Sequence, residues 1–411
     1  MISVEDHAER VRKLVEPVLT RLRSGEDAEQ PALDDALGRV LARDVLSPVD
    51  LPLFRNSQMD GYAVGSADVA TLPVTLPVVG ELAAGGTATP AFVPGTALRV
   101  MTGAPVPPGA DVVVPVEETD TLEWPERGLT GQSVTIHRAG PSGRYVRERG
   151  SDLRTGELLA PAGVRLAPRH LGALAAAGVR SVPVRRRLRV AVLTTGAELI
   201  GAGDGRADDA PAAGKIFDAN LTSLVAAVHE CGAEVVLAER SGDDTAEFAG
   251  LLARATSAAD LVLTSGGISR GAYEVVRETT EPLGGSIVHV GMQPGRPQAT
   301  ALVDGVPVLS FPGNPVSTQV SFLVFLRPLL REAAGLPALQ PVTGALTTAV
   351  ESPEGKRQFL RGILSPDGTV TTVAGPSSHL VAAMARANAL IEIPTQTTSL
   401  AAGANVRVWI L

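Results

Sequence analysis

At 411 residues the chain is too long for one hydrophobic core, so several domains are expected. Hydrophobic residues make up 45% and charged residues 19%, an ordinary globular balance, but aromatics at 3% leave Ala, Val and Leu to build the cores. A net charge of −8 argues against polyanion binding through bulk charge, and the single cysteine, Cys231, excludes an internal disulfide and fits a reducing compartment. In chain order, Ser3 with Asp6 has the form of a capping box. Val4, Val11, Leu14, Val15, Val18 and Leu22 then recur at helical spacing, and Pro17 is expected to kink or break that helix. A second short helix is predicted over Leu33–Leu41. From about Val45, short β-type runs separated by Pro and Gly, such as Pro73–Val79 and Ala97–Val100, predict a compact β-rich domain reaching to about Ile136. Between Arg144 and Val182 a short strand-and-turn section precedes an Ala-rich helix, Pro168–Ala177. The basic run Arg185–Arg189 reads as a solvated lead-in to a strand rather than a nucleic-acid patch.

The chain then alternates. Leu188–Leu193 is a predicted strand, and Asp218-Ala-Asn220 caps a helix through Glu230. Glu234–Ala238 is a strand, Thr245–Thr256 a helix, and a buried strand follows Asp260. Later strands end at Val290, Val303 and Ser310, and Asn314 caps a final helix through Ala334. Such alternation implies a mostly parallel sheet covered on both faces. Cys231, within an apolar helical pattern, is expected to be buried and inert. Beyond Leu336 the pattern is β-rich again, with Gly344–Val350, Gln358–Leu364 and Val406–Leu411, interrupted by a helical stretch at Ser378–Ala387. No stretch approaches the ~18 apolar residues of a membrane span, and no basic segment leads into an apolar run at the N-terminus. A soluble, cytoplasmic protein with neither nucleic-acid nor membrane partners is the expectation.

The chemistry concentrates in three Gly-containing segments. Leu261-Val-Leu263 runs into Thr264-Ser-Gly-Gly267, with Ser269 and Gly271 following; Gln293-Pro-Gly-Arg-Pro297 and Phe311-Pro-Gly-Asn-Pro315 come next. Paired glycines after a strand allow close backbone approach to a ligand, and three such loops in an α/β stretch predict an anion pocket at the strand ends. Gly267-Ile-Ser-Arg-Gly271 formally matches a nucleophile elbow. Two glycines separate Ser269 from the strand and no His is an evident base, so a binding loop is the better reading. Glu198, just past a strand end, suits a metal or polarised water as well as it suits a helix start. Asp218 and Asn220 read first as caps. Asp60-Gly61 reads as a turn, and Met101–Gly109 as a rigid Pro/Gly loop whose one chemical side chain is Thr102. The six His do not pair at helical spacing, so a His/Cys zinc site is not expected; any metal would be a hard cation on oxygen ligands.

In order along the chain, Asn56-Ser-Gln-Met-Asp-Gly-Tyr-Ala63, Met101-Thr-Gly-Ala-Pro-Val-Pro107, Arg149-Gly-Ser-Asp152, Thr195-Gly-Ala-Glu-Leu199, Asp218-Ala-Asn220, Thr264-Ser-Gly-Gly-Ile-Ser269, Pro294-Gly-Arg-Pro297 and Phe311-Pro-Gly-Asn-Pro-Val-Ser317 resemble the MoeA-type molybdopterin molybdenumtransferases, related to the C-terminal domain of gephyrin. The stretch from Ser378-His-Leu through Ala385-Arg-Ala-Asn388 is similar to the family's last domain.

The resemblance implies a multidomain α/β plus β fold. Its parts would be an elongated linker and dimerisation domain (1–45 and 141–182), a β-rich domain (46–140), a three-layer α/β/α molybdopterin-binding domain with a mostly parallel sheet (183–335) and a C-terminal β-barrel-like domain (336–411). It implies a homodimer that uses Mg²⁺ to hydrolyse adenylylated molybdopterin, insert molybdate and release AMP. Transient contact with a molybdopterin adenylyltransferase and with apo-molybdoenzymes is also implied.

Carried over by position, Glu198, Asp218, Asp60 and Thr102 would be catalytic, with Glu198 and Asp218 placing the metal. Asp60 and Thr102 would face the partner subunit's cleft. Gly266, Gly267, Ser269, Glu274, Arg296, Pro312, Asn314 and Asp152 would bind substrate. The chain departs from the family where Arg270, Ala272 and Glu274 replace Val, Asp and Asp, and where Gln293 and Arg296 replace Lys. An adenylyltransferase and a non-catalytic scaffold are the competing readings. The β domains and the Met59–Tyr62 segment speak against the first, and the lack of a long disordered linker against the second.

Overall fold

The computed structural model describes residues 1–85, 91–121, 132–201, 212–269 and 274–411. They form two compact units, residues 1–29 with 184–411, and residues 30–183. Among the described residues no helix is long and apolar enough to cross a membrane.

In the first unit the capping box is present: the Asp6 amide donates to Ser3 Oγ at 3.0 Å and opens helix α1, Val4–Ser24. Contrary to expectation, Pro17 neither ends nor splits α1. Proline removes one backbone donor, but the buried row Val11, Val15, Val18, Leu19 and Leu22 seats both halves of the helix on one core. Through that row α1 packs on the α/β body.

The body alternates β1 (Arg189–Thr195), α2 (Ala219–Glu230), β2 (Glu234–Ser241), α3 (Thr245–Ala258), β3 (Leu261–Ser265), α4 (Val275–Thr280), β4 (Ser286–His289), β5 (Pro297–Val303) and β6 (Val306–Phe311). The sheet order is β2-β1-β3-β6-β5-β4. β2, β1, β3 and β6 are parallel; β5, next to β6, runs antiparallel to both β6 and β4. Val190, Val192, Leu261, Leu263 and Leu309 face a core shared with α1, α2 and the helical stretch after β6. Ala191, Leu193, Val262 and Val308 face α3 and α4. Helices therefore cover both faces, as the uninterrupted apolar strands demand. The stretch after β6 comprises α5 (Pro315–Ser321), a π turn (Phe322–Leu326) and α6 (Arg327–Ala333).

Past α6, strands Val342–Leu346, Arg357–Leu364, Thr369–Thr372, Ala389–Ile393 and Asn405–Ile410 pair in a ring. The extra pairing of Arg357–Leu364 with Ala389–Ile393 closes a five-stranded barrel. Leu346, Leu360, Val370, Ile391 and Val408 fill it.

The basic run is only partly solvated. Arg187 and Arg189 are exposed, but Arg186 keeps 13% of its side-chain surface and pairs with Asp260, whose side chain keeps 1%. Arg186 Nη2 lies 2.9 Å and Arg21 Nη2 2.7 Å from Asp260 Oδ1. Burial pushes the Asp260 carboxyl up, yet the Arg186 hydrogen bonds and the Arg189 amide more than offset it, holding it below the usual range.

The second unit holds a five-stranded sheet in the order Val112–Pro115, Gly61–Val64, Ala97–Val100, Val74–Leu82 and Ser133–Ile136. The helix predicted over Leu33–Leu41 is a single 3₁₀ turn, Leu33–Asp35. Gly38 turns the chain at φ +74°, and its amide and that of Leu41 bond to the Leu166 and Val164 carbonyls instead. The Ala-rich helix forms at Pro168–Ala176.

Candidate functional site

In the parallel part of the sheet the chain leaves β1 toward β2 on one side and returns to β3 on the other. The carboxyl ends of β1 and β3 thus flank a topological switch point, where open α/β sheets bind ligands. A pocket of about 540 Å³ opens there, lined by Thr195, Gly196, Glu198 and Leu199, by Ile216–Asn220, Asp243, Ser265–Gly267 with Ser269, Glu274, and Gly313–Pro315.

Two glycines shape its floor. Gly266 has φ +96° and Gly267 φ +64°. A Cβ on Gly266 would sit 2.7 Å from the Thr195 carbonyl oxygen, so only glycine lets the β3 loop lie against β1. Not every amide of the loop is free. Gly266 donates to the Phe311 carbonyl at 3.2 Å, and Ser269 to Glu274 Oε2 at 2.7 Å. Among the described residues the amides of Gly267, Gly313 and Asn314 find no acceptor. Those of Gly313 and Asn314 lie at the start of the helical stretch, where unpaired N–H groups and the helix dipole attract an anion.

Four carboxylates surround the same space, and none of the described lining residues is Lys or Arg. Glu198 is exposed and starts no helix; its backbone carbonyl accepts the Ile216 amide at 2.9 Å beside the short ladder of Leu199–Ile200 with Ile216–Phe217. Its carboxylate folds over Gly196, where a Cβ would meet Oε2 at 2.5 Å. Asp218 is buried and committed to the fold: Oδ1 accepts the Asn220 and Leu221 amides at 3.0 and 2.9 Å, and Oδ2 the Thr194 hydroxyl at 2.6 Å. Asp243, absent from the sequence reading, accepts the Ala197 amide at 3.2 Å. It stands after β2 as Glu198 stands after β1, and that repeated placement was the available signal.

No group of three or more His, Cys, Asp or Glu suited to a metal occurs among the described residues. Mg²⁺ asks for less, commonly one or two carboxylates with substrate phosphates completing its shell. Glu198 with Asp243 fits that requirement better than Asp218 does.

Among the other expected residues, Gly266, Gly267, Ser269, Glu274 and Asn314 line the pocket. Pro312 stands behind it, its carbonyl accepting the Thr318 hydroxyl at 2.6 Å. Arg296 is exposed just before β5, at the same edge of the sheet but outside the lining set. Gln293 is half-buried and accepts a hydrogen bond from Gln358 at 2.8 Å. Arg270 and Ala272 lie outside the described residues. Asp60, Thr102 and Asp152 belong to the second unit. There the Asp60 carboxylate accepts the Thr102 amide at 2.6 Å. Gly61 is no turn residue: it opens a strand, and a Cβ on it would meet the Val114 carbonyl oxygen at 2.0 Å. Asp152 is exposed. No His lines the described pocket, which removes the base a nucleophilic Ser269 would need.

Comparison with known proteins covers nearly the whole chain. Residues 2–178 match the model of the MoeA N-terminal region (domain I and II), 191–332 that of a probable molybdopterin binding domain, and 343–411 that of the MoeA C-terminal region (domain IV). Molybdopterin molybdenumtransferase 2 of Mycobacterium tuberculosis is 41% identical, over 100% of this chain and 99% of its own. Molybdopterin molybdenumtransferase 1 of the same organism is 33% identical, over 96% and 98%. The crystal structure of the molybdopterin biosynthesis MoeA protein from Pyrococcus horikosii superposes with a TM-score of 0.79 at 30% identity, covering 97% of this chain and 98% of that one.

Proposed function

The chain belongs to the MoeA family of molybdopterin molybdenumtransferases, enzymes of molybdenum cofactor biosynthesis, and from that membership we propose that its switch-point pocket takes adenylylated molybdopterin, releases AMP and inserts molybdate. The observation that carries this reading is the pairing, in one pocket, of free amides for an oxyanion with exposed carboxylates for a metal.

The Gly267, Gly313 and Asn314 amides hold phosphate oxygens. Glu198 and Asp243 would hold Mg²⁺, which would neutralise charge on the phosphates. Glu198 also orients the water that attacks the anhydride phosphorus, and AMP leaves with the bridging oxygen. The two thiols of the dithiolene then bind the molybdenum of molybdate, and one molybdate oxygen departs as water with the two thiol protons. Asp218 acts through position, since it fixes the first turn of α2 against β1. For molybdate we point to Arg361, a buried guanidinium whose Nε and Nη1 have no partner among the described residues. It donates to the Gly375 carbonyl, and the loop that follows touches the start of α5 through Ser378 O and the Val316 amide, 3.1 Å. Asp60 and Thr102 remain candidates for the cleft of a partner subunit in a homodimer.

The test is reconstitution with adenylylated molybdopterin, Mg²⁺ and molybdate. AMP release that depends on molybdate and yields cofactor able to activate an apo-molybdoenzyme supports the reading. Glu198→Ala should lose at least about tenfold in kcat with little change in unfolding midpoint. If Glu198→Ala instead unfolds the protein without a specific kinetic defect, the assignment of that residue is wrong.

A further inference from the structure

The pocket contains a buried acceptor that the described residues leave unsatisfied. Asn220, 6% exposed, sits in the first turn of α2 and lines the pocket. Its Nδ2 donates to Ser265 Oγ at 2.9 Å and to the Gly313 carbonyl at 2.7 Å. A carbonyl only accepts, so the amide cannot be flipped, and Oδ1 is fixed pointing elsewhere. That Oδ1 is buried without a partner among the described residues. Native proteins rarely leave such a group unmatched, because it forfeits its hydration.

Behind Asn220 lies a polar cluster. Thr318 is fully buried, donates to the Pro312 carbonyl at 2.6 Å and lies 3.1 Å from Ser265 Oγ. The chain Thr318–Ser265–Asn220–Gly313 thus ties together the ends of β3 and β6 and the start of α2. Thr195 Oγ1, in the same pocket, is also buried without a partner among the described residues.

We propose that Asn220 is a specificity-determining residue whose Oδ1 accepts a hydrogen bond from a neutral N–H of the bound molecule, and that Ser265 and Thr318 are positioning residues that hold its amide. The inference rests on the pocket being the substrate site. A carbonyl oxygen repels phosphate or molybdate oxygens, so Asn220 marks the amino-bearing edge of a heterocycle. The free amides of Gly267, Gly313 and Asn314 mark the anionic end. Together the two sets fix which way round the substrate lies.

Pterin and adenine both carry an amino donor, and titration calorimetry with paired probes separates them. AMP is compared with purine riboside 5′-monophosphate, and pterin-6-carboxylate with lumazine-6-carboxylate; the second of each pair lacks the amino group. In the wild type the amino compound of one pair should bind about tenfold tighter, the worth of one hydrogen bond into a dry site. Asn220→Ala should erase that preference; Thr318→Val should reduce it while Thr318→Ser keeps it, since only the serine retains the hydroxyl that steadies Ser265. An unchanged preference in folded Thr318→Val and Asn220→Ala, or binding by the wild type with no preference in either pair, overturns the inference alone. No binding of any probe by the wild type overturns the pocket reading together with it.

Discussion

Replacing Gly266 by alanine tests whether the loop after β3 is built by the approach of backbone to backbone. Gly266 has φ +96°, outside the left-handed basin that L residues can enter, and an added Cβ would lie 2.7 Å from Thr195 O and 2.8 Å from Thr195 Oγ1. The backbone conformation alone costs an alanine about 1–3 kcal/mol. Parting the β1 and β3 loops to relieve the clash adds about 1–3 kcal/mol more. Gly267 differs: φ +64° lies within that basin, and its Cβ would meet chiefly Val276 Cγ2 at 2.9 Å. Gly267→Ala should therefore cost about 1–3 kcal/mol in all. Gly250, in α3 with open space around it, supplies the control, since alanine there should stabilise by up to ~1 kcal/mol. Urea unfolding gives the stability order and AMP release gives kcat/KM on the same samples. Gly266→Ala should lie lowest in both, with KM rising as the pocket floor shifts. If Gly266→Ala is as stable and as active as Gly267→Ala, the close approach of the two loops is not what shapes this site.

Other consequences follow from groups outside the pocket. Buried His7 packs edge-on against Phe325, and burial first, then the charge of Arg10, pushes its imidazole down from 6.5 to about 4. The unfolded chain therefore binds the extra proton between those values, so stability is full above pH 6.5 and falls as pH drops toward 4. The loss is at most about 3 kcal/mol, and urea titrations of His7→Phe should show it removed. Cys231 is buried, and burial, then Glu230, pushes its thiol up to about 11. Iodoacetamide should leave the native protein unmodified at neutral pH and label it promptly in urea. Asp260→Asn leaves Arg186 without its buried counter-charge and should cost about 3–5 kcal/mol in urea unfolding.

How much of this was legible depended on the range of the forces involved. The helix from Ala219 and its Asp218 cap could be read because a cap and an apolar repeat are local. The buried run Leu261–Ser265 and the glycines after it were equally local. Pro17 misled because the penalty it carries is local, whereas the apolar row that outweighs it is set by the tertiary core. Leu33–Leu41 misled for the mirror reason: its spacing suits a helix, but partners at Val164 and Leu166, far along the chain, take its backbone donors. Arg186 looked solvated because nothing beside it in sequence announces Asp260. The site shows the same division. Glu198 and Gly267 stand in recognisable motifs, while Thr318, Ser265 and Asp243 gain meaning only when β3, β6 and β2 end at one place.

The charge balance of the pocket adds a constraint that no single motif carries. Four carboxylates face a space whose described lining includes no basic side chain, yet an adenylylated pterin is an anion. Unpaired amides can favour an anion, but each carries only a fraction of a charge, and unscreened carboxylates nearby would oppose it. The departures make this sharper: Gln293 bonds to Gln358 and brings no charge, and Arg296 lies outside the lining set. Substrate affinity should therefore rise with Mg²⁺ concentration and collapse under chelation, far more steeply than in a pocket whose anions meet lysines. Neutralising Asp243 as Asp243→Asn should weaken the Mg²⁺ dependence while improving binding of AMP in EDTA, because the same carboxylate that attracts the metal repels the bare anion. Calorimetric titration of AMP with and without Mg²⁺ decides it. If Asp243→Asn binds AMP no better in EDTA than the wild type does, these carboxylates do not govern the charge of the site.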